Sequence, residues 1–334
     1  MDTMILKPTL KSLILNPPSL EVWANLLRYG VSRLKPSVKV THAPISMVIY
    51  VSKRCNFKCS FCFTYSDLNK ADWQEYELSP AGFEQLMNSD FGRKSLRVGF
   101  LGGEPFMNPH LFDFLESAHR KGKITTIVTN ASLVDEEKKQ KLKKLSPTML
   151  GISLYDNNIS DVAQLSEWMA SHSRDFWVQS VVEATGLEKI KEKILFADTH
   201  GVKNLILSNY HPTYSHENEK VIFSDNNEFK IIAKEARALA SGLGMQLTLP
   251  NPIQREYKIR SCTMAFNYVH VDALGVLGPC CFRAPKEEYG NIYKPNSWND
   301  ESHLKLRDTF LNSKLSPLSE CAHCENFSRD LYSL

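Results

Sequence analysis

Leu96-Arg97-Val98-Gly99-Phe100-Leu101-Gly102-Gly103-Glu104-Pro105 is an apolar, β-rich run that stops at two glycines, and Asn108-Pro109 comes shortly after it. Asn before Pro reads as a helix N-cap with proline at the first helical position. Leu111, Phe114, Leu115 and Ala118 then recur at helical spacing, Gly122 supplies a stop, and a second apolar run occupies residues 124–128. Strand, helix and strand in this order make a βαβ unit with parallel strands.

Further runs at 47–51, 149–154, 176–182 and 204–207 repeat the pattern, and from Leu96 onward they recur about every 27 residues. Ser79-Pro80 caps another helix before Phe83, Leu86 and Met87, and residues 138–144 read as a solvated helix face. The alternation predicts an α/β fold with a parallel sheet and crossover helices. Periodicity alone leaves an open sheet and a partial barrel both available. In either, ligands belong at the C-terminal ends of the strands.

Outside this block the pattern changes. Residues 1–44 form an N-terminal helical extension. A Pro-rich, mixed stretch leads to a helix over 19–34 with Leu20, Trp23, Leu27, Val31 and Leu34 on one face, ended by Pro36. The repeating block spans 45–215, and a connecting helix and strand are expected over 216–260. Beyond Leu249-Pro250-Asn251-Pro252, residues 261–334 read as a small module, with a hairpin of 268–272 and 276–277 and a helix over 297–312.

The 334 residues are 43% apolar, enough for a sizeable core, and 40 Lys plus Arg against 37 Asp plus Glu leave a formal charge of only +3. That balance argues against a dedicated nucleic-acid binder. No run approaches the length of a membrane span, and Met1-Asp2-Thr3-Met4 lacks the start of a signal peptide. A cytoplasmic protein with reduced thiols and no membrane partner is expected. Its eight cysteines then point to metal or catalysis.

The cysteines form two groups. Cys55, Cys59 and Cys62 follow the first strand in the segment Cys55-Asn56-Phe57-Lys58-Cys59-Ser60-Phe61-Cys62. Three thiolates on one loop can hold three irons of a [4Fe–4S] cluster and leave the fourth open to a substrate. Structural zinc would need a fourth ligand nearby, and no His lies between Cys55 and Cys62. The second group is Cys262, Cys280, Cys281, Cys321 and Cys324. Cys262, Cys280 and the C-x2-C pair Cys321/Cys324 suit either zinc or a complete [4Fe–4S] cluster. Cys281 is left over, as a small buried hydrophobe or a hydrogen-atom donor.

The C-x3-C-x2-C segment with Phe61 before the last cysteine resembles the signature of the radical S-adenosylmethionine (SAM) superfamily. Gly102-Gly103-Glu104-Pro105 is similar to that family's "GGEP", and Thr129-Asn130-Ala131 to its "TNG", here with Ala for Gly. Gly151-Ile152-Ser153-Leu154-Tyr155-Asp156 closes the fourth strand as the family's corresponding segment does. The resemblance covers roughly residues 45–215. It implies a partial (β/α)6 TIM barrel, a SAM-binding [4Fe–4S] cluster on Cys55, Cys59 and Cys62, and reductive cleavage of SAM to a 5′-deoxyadenosyl radical. It also implies SAM contacts from Phe61 (adenine), Gly102, Gly103 and Glu104 (methionine amino group), Asn130, and Ser153 (ribose or carboxylate), with a flavodoxin- or ferredoxin-type electron donor.

The tail, with Cys262, Gly275, Cys280 and Gly290-Asn291-Ile292, resembles the SPASM and shorter twitch extensions of that superfamily. Its layout is close to that of 2-deoxy-scyllo-inosamine dehydrogenase. This implies one auxiliary [4Fe–4S] cluster on Cys262, Cys280, Cys321 and Cys324, able to accept an electron from a substrate radical. Tyr65, Tyr155, Asn209, Tyr210 and Arg283 are polar candidates around the site; Glu183 and Arg260 are the first choices for the general base, and Cys281 for a hydrogen donor. The expected activity is oxidation of a small polar metabolite such as a sugar, aminocyclitol or natural-product intermediate. The alternative is modification of a peptide by crosslinking, epimerisation or residue oxidation.

Overall fold

The computed structural model describes residues 3–62, 77–211, 215–255, 262–280, 285–312, 314–316, 321 and 324. Tyr65, Arg260, Cys281 and Arg283 lie outside the described residues.

Helices α1 (Thr3–Leu15) and α2 (Leu20–Leu34) precede β1 (Ser46–Ser52). Then come α3 (Pro80–Asn88), α4 (Asp90–Lys94), β2 (Arg97–Gly102), α5 (Leu111–Arg120), β3 (Ile124–Thr129), α6 (Glu136–Lys144), β4 (Met149–Ser153) and α7 (Ile159–Ser171). The series continues with β5 (Phe176–Val182), α8 (Lys189–Thr199), β6 (Asn204–Asn209), α9 (Asn227–Gly242) and β7 (Gln246–Thr248). The last part holds α10 (Met264–Asn267), β8 (Tyr268–Val271), β9 (Leu277–Gly278) and α11 (Glu301–Leu311). No helix among the described residues is long and apolar enough to cross a membrane.

The strands form one sheet in the order β7-β6-β5-β4-β3-β2-β1-β8-β9. All neighbours from β7 to β8 are parallel, and β9 returns antiparallel to β8. Sequential parallel strands with crossover helices are the expected α/β architecture, and the sheet does not close. Two additions extend it. β7 adds a seventh parallel strand beyond β6, and the tail hairpin is joined to the barrel itself, with Tyr268 opposite Ser46 on β1.

Side chains alternate between the faces of the strands. Met47, Ile49 and Val51 of β1, Val98 and Phe100 of β2, and Ile152 of β4 are buried in the core under the helices. Phe83 of α3 stacks on Phe114 of α5, 4.8 Å between centroids, and meets Phe100 at 6.0 Å. The other set, including Tyr50, Leu101, Val128, Ser153 and Gln179, faces one cavity at the strand ends.

The helix expected over 19–34 forms, with the Ser19 hydroxyl accepting from the Val22 amide, and its apolar face is exposed. Val22 and Asn25 are buried instead. The reason is polar. Asn25 Nδ2 donates to the carbonyls of Ala43 (3.1 Å) and Lys94 (3.2 Å), and its Oδ1 accepts from the Ala43 amide (2.8 Å). One side chain closing three hydrogen bonds, to the loop at Ala43 and to the end of α4, sets the rotation of the helix, against its apolar stripe.

Candidate active site

The three-cysteine loop leaves β1 at its C-terminal end. Its root is fixed by β2. Gly103 donates its amide to the Ser52 carbonyl (2.7 Å) and Glu104 to the Arg54 carbonyl (2.8 Å). A Cβ on Gly103 would stand 1.9 Å from the Arg54 oxygen, and one on Gly102, at φ +131°, 2.2 Å from the Ser52 oxygen. Both positions therefore require glycine for the approach of strand end to loop backbone, before any ligand is considered.

Glu104 ties the next strand in. Its Oε1 accepts from the Phe106 amide (3.1 Å) and the Thr129 hydroxyl (2.7 Å), and its Oε2 from the Asn130 amide (2.8 Å). Burial pushes its pKa up to about 7, against these three hydrogen bonds that hold it down. Asn130 Nδ2 reaches Asn56 Oδ1 inside the cysteine loop (3.0 Å), and Asn158 Nδ2 bonds the Asn130 and Ser153 carbonyls (2.7 and 2.8 Å). Gly102, Gly103, Glu104, Asn130 and Ser153, singled out in the sequence, thus converge with Cys55, Cys59, Cys62 and Phe61 around one cavity of about 430 Å³.

The donor set suits an iron–sulfur cluster. Cys55, Cys59 and Cys62 are all partly buried and all line that cavity. Burial pushes the Cys59 thiol up to about 11, with repulsion from Cys62 and Cys55 adding to it. Thiolates side by side in one wall repel one another, and a bound cation offsets that repulsion. Among the described residues no three His, Cys, Asp or Glu side chains stand close enough to hold a single metal ion. A four-iron cluster takes each thiolate on a different iron and so spaces its ligands more widely than one ion does. The tail cysteines Cys262, Cys280, Cys321 and Cys324 are likewise partly buried. Cys262 precedes α10, Cys280 follows β9, and the Cys324 amide donates to the Cys321 carbonyl (3.3 Å).

The interior wall carries further polar groups. His270 on β8 is 2% exposed, with Nδ1 3.2 Å from the Tyr50 hydroxyl and Nε2 2.7 Å from the Tyr268 hydroxyl. Burial lowers its pKa to about 3, so the imidazole is neutral and one ring nitrogen donates while the other accepts. Across the cavity, Trp177 Nε1 donates to Gln179 Oε1 (2.8 Å), and Gln179 Nε2 to the Ser153 hydroxyl (3.3 Å). Gly151 makes room for the Trp177 ring, which a Cβ there would meet at 2.4 Å. These residues sit at alternate positions of their strands, the one signal that could have found them.

Other candidates are placed differently. Glu183, at the end of β5, lines a second cavity of about 460 Å³ with Lys58, Asp156, Glu188, Lys189 and Lys193. The two cavities share Cys59, Phe61, Tyr155 and Val181. Phe61 packs on Tyr155, 5.4 Å between centroids. Asn209 borders the first cavity, but its side chain clamps Ile222 and Asn251. Tyr210 is fully buried with Val221 and Ile253. His211 also lines the cysteine cavity.

Known proteins resemble this chain in sequence over part of its length and in fold. Fe-coproporphyrin III synthase of Methanosarcina barkeri is 32% identical over 135 residues, 39% of this chain and 33% of that protein. The radical SAM cyclopropyl synthase TigE of Paramaledivibacter caminithermalis is 22% identical over 324 residues, covering 83% of this chain and 65% of TigE. The chain spans 33–39% of the length of the curated relatives it matches first. Among solved structures, SuiB of Streptococcus suis superposes with a TM-score of 0.64 at 18% identity, over 90% of this chain and 75% of SuiB, a likeness of fold. The profile of the radical SAM superfamily matches residues 49–185, the stretch that runs from β1 through the cysteine loop to the end of β5, so the chain carries a radical SAM domain.

Proposed function

We propose that this chain is a radical SAM enzyme that modifies a peptide. The observation that carries the reading is the pair of adjoining cavities. The inner one holds the cysteines and a neutral polar wall; the outer one is lined by Lys58, Asp156, Glu183, Glu188, Lys189 and Lys193. An inner cavity of about 430 Å³ shared between SAM and a substrate has room for one side chain, while a charged outer cavity suits the flanking backbone and polar residues of a chain. Relatives named as peptide enzymes support it: PqqA peptide cyclase of Gluconobacter oxydans among the curated proteins, and SuiB, whose structure is also known bound to its precursor peptide SuiA.

Bound on Cys55, Cys59 and Cys62, a [4Fe–4S] cluster and SAM supply hydrogen-atom abstraction from an unactivated C–H bond. The chain's own residues orient and shield. Gly103 and Glu104 fix the loop root, Gln179 aims the Ser153 hydroxyl, and Phe61 with Tyr155 divides the inner cavity from the outer. His270 with Tyr50 and Tyr268 offers uncharged donors and acceptors to the substrate. Glu183, in the outer cavity, faces the flanking peptide. A second [4Fe–4S] cluster on Cys262, Cys280, Cys321 and Cys324 is part of the proposal as an electron acceptor, with a flavodoxin or ferredoxin as donor to the first.

Oxidation of a small polar metabolite is the second reading, favoured by the hydroxyl- and imidazole-lined inner wall. Anaerobically reconstituted protein, reduced with dithionite, separates them. It is offered a peptide library and, separately, a panel of sugars and aminocyclitols, and 5′-deoxyadenosine is followed by mass spectrometry. Stimulation by peptides and a mass change in one of them is expected. Stimulation by the polyols alone would replace the peptide reading with the metabolite one.

A further inference from the structure

α2 presents two unlike faces. Val22 and Asn25 lock one into the fold. The other carries Leu20, Trp23, Leu27, Val31 and Leu34, exposed to 87, 45, 72, 67 and 88%. A single exposed leucine carries no message. Five large apolar side chains in one stripe expose on the order of 700 Å² per chain, above the roughly 300–600 Å² of a monomer's largest patch and near the roughly 800 Å² per partner of a standard interface.

The order of residues along the stripe identifies what fits it. Leu27 is the midpoint. Leu20 and Leu34 lie seven residues to either side, Trp23 and Val31 four, and Ala24 and Gly30 three. A second α2 laid antiparallel across a two-fold axis at Leu27 sets Leu20 against Leu34 and the large Trp23 against the smaller Val31. It also sets Ala24 against Gly30, where a Cβ would meet nothing within 4 Å. Small residues facing each other let two helix backbones approach closely, and the three-and-four spacing is that of paired helices. A self-complementary patch is what an isologous interface requires. A helix lying on lipid has instead an open polar face rich in Lys and Arg. Here the opposite face is locked into protein by Asn25, and Glu21 borders the stripe beside Arg28.

We propose that α2 is a homodimer interface, an antiparallel helix pair whose two-fold axis passes at Leu27. It is independent of the substrate reading, since the stripe lies outside both cavities.

Sedimentation velocity and light scattering on the reconstituted full chain test it. The unaltered protein is expected at twice its 38.0 kDa chain mass at micromolar concentration. Leu27→Asp places two carboxylates on the axis and should weaken association by roughly 100-fold or more, giving the monomer. Trp23→Ala should weaken it less. Leu27 is exposed, so circular dichroism and the thermal midpoint of the variant monomer should show an intact fold. Leu195→Asp, at an exposed apolar residue of α8, should remain dimeric. An unaltered chain that is monomeric, including one that floats with anionic phosphatidylserine vesicles, overturns the proposal. So does a dimer that Leu27→Asp leaves intact.

Discussion

Glu104 Oε2 accepts the Asn130 amide at 2.8 Å, a bond that ties the end of β2 to the end of β3 across the mouth of the cysteine cavity. The other oxygen of the same 1%-exposed carboxylate takes two more donors. Three donors on one group that, when ionised, only accepts explain why this position needs a carboxylate. In Glu104→Gln the amide oxygen can keep the Phe106 and Thr129 bonds, but the amide nitrogen would meet the Asn130 N–H as a second donor. The expected loss is about 1–3 kcal/mol. It should be read as a fall of several degrees in the thermal midpoint, about 2–4 °C per kcal/mol. A Gln variant that melts with the unaltered protein would show that the carboxylate has no such role.

Ala131 stands where the superfamily's motif carries glycine, and its φ is +68°. The left-handed region costs a non-glycine residue roughly 1–2 kcal/mol. Gly in turn loses more freedom on folding, about 0.5–1 kcal/mol relative to Ala. The two terms nearly cancel, so Ala131→Gly should change stability by less than about 1 kcal/mol, in the stabilising direction. Ala131→Val, β-branched and 4% exposed at present, should destabilise by more than about 2 kcal/mol. Chemical denaturation of both variants checks the pair; equal midpoints for Val and Gly would refute the strain argument.

Strands β1 to β6 were legible because each is a compact apolar run ended by a polar residue or Gly; β5 occupies residues 176–182 as read, with Glu183 after it. Most of the cavity motifs were legible too, since they sit at those strand ends. What could not be read is what depends on pairing between distant segments. Tyr50 and His270 are 220 residues apart and meet only because β8 docks on β1. β7 is three residues, Gln246–Thr248, too short and polar to announce that it joins the barrel. Which face of α2 packs inward is set by Asn25, whose three hydrogen bonds to distant backbone groups leave no mark in the apolar periodicity. Glu183 was rightly placed at a strand end, but it faces the outer cavity.

The cysteine loop should be separable from the tail by iron content. Two four-iron clusters give about eight irons per chain after anaerobic reconstitution. Replacing Cys55, Cys59 and Cys62 together by Ala should halve that number and abolish SAM cleavage. Replacing Cys321 and Cys324 should also remove about four irons, while 5′-deoxyadenosine still forms. About four irons in the unaltered chain, with zinc in the tail, would defeat the auxiliary cluster and leave the first cluster standing.

The Tyr50–His270–Tyr268 contact makes a pH prediction whose sign is fixed. His270 is buried and its pKa is lowered to about 3 in the folded protein; in the unfolded chain it titrates near the ordinary 6.5. Above 6.5 both states are neutral and the full stability is present. As pH falls from 6.5 towards 3, the unfolded chain binds a proton that the folded one refuses. Stability drains at about 1.4 kcal/mol per pH unit. Glu104 works in the opposite sense between 4.5 and 7, because its folded pKa is raised, so the absolute profile mixes the two. Comparing the protein with His270→Phe isolates the histidine. The stability difference between them should shrink, against the native protein, by about 2 kcal/mol from pH 7 to pH 5. Isotope-labelled imidazole signals should show no titration of His270 in the same range. A His270 signal with a midpoint near 6.5, or a difference that does not move with pH, would mean that the imidazole is not held neutral between the two phenols.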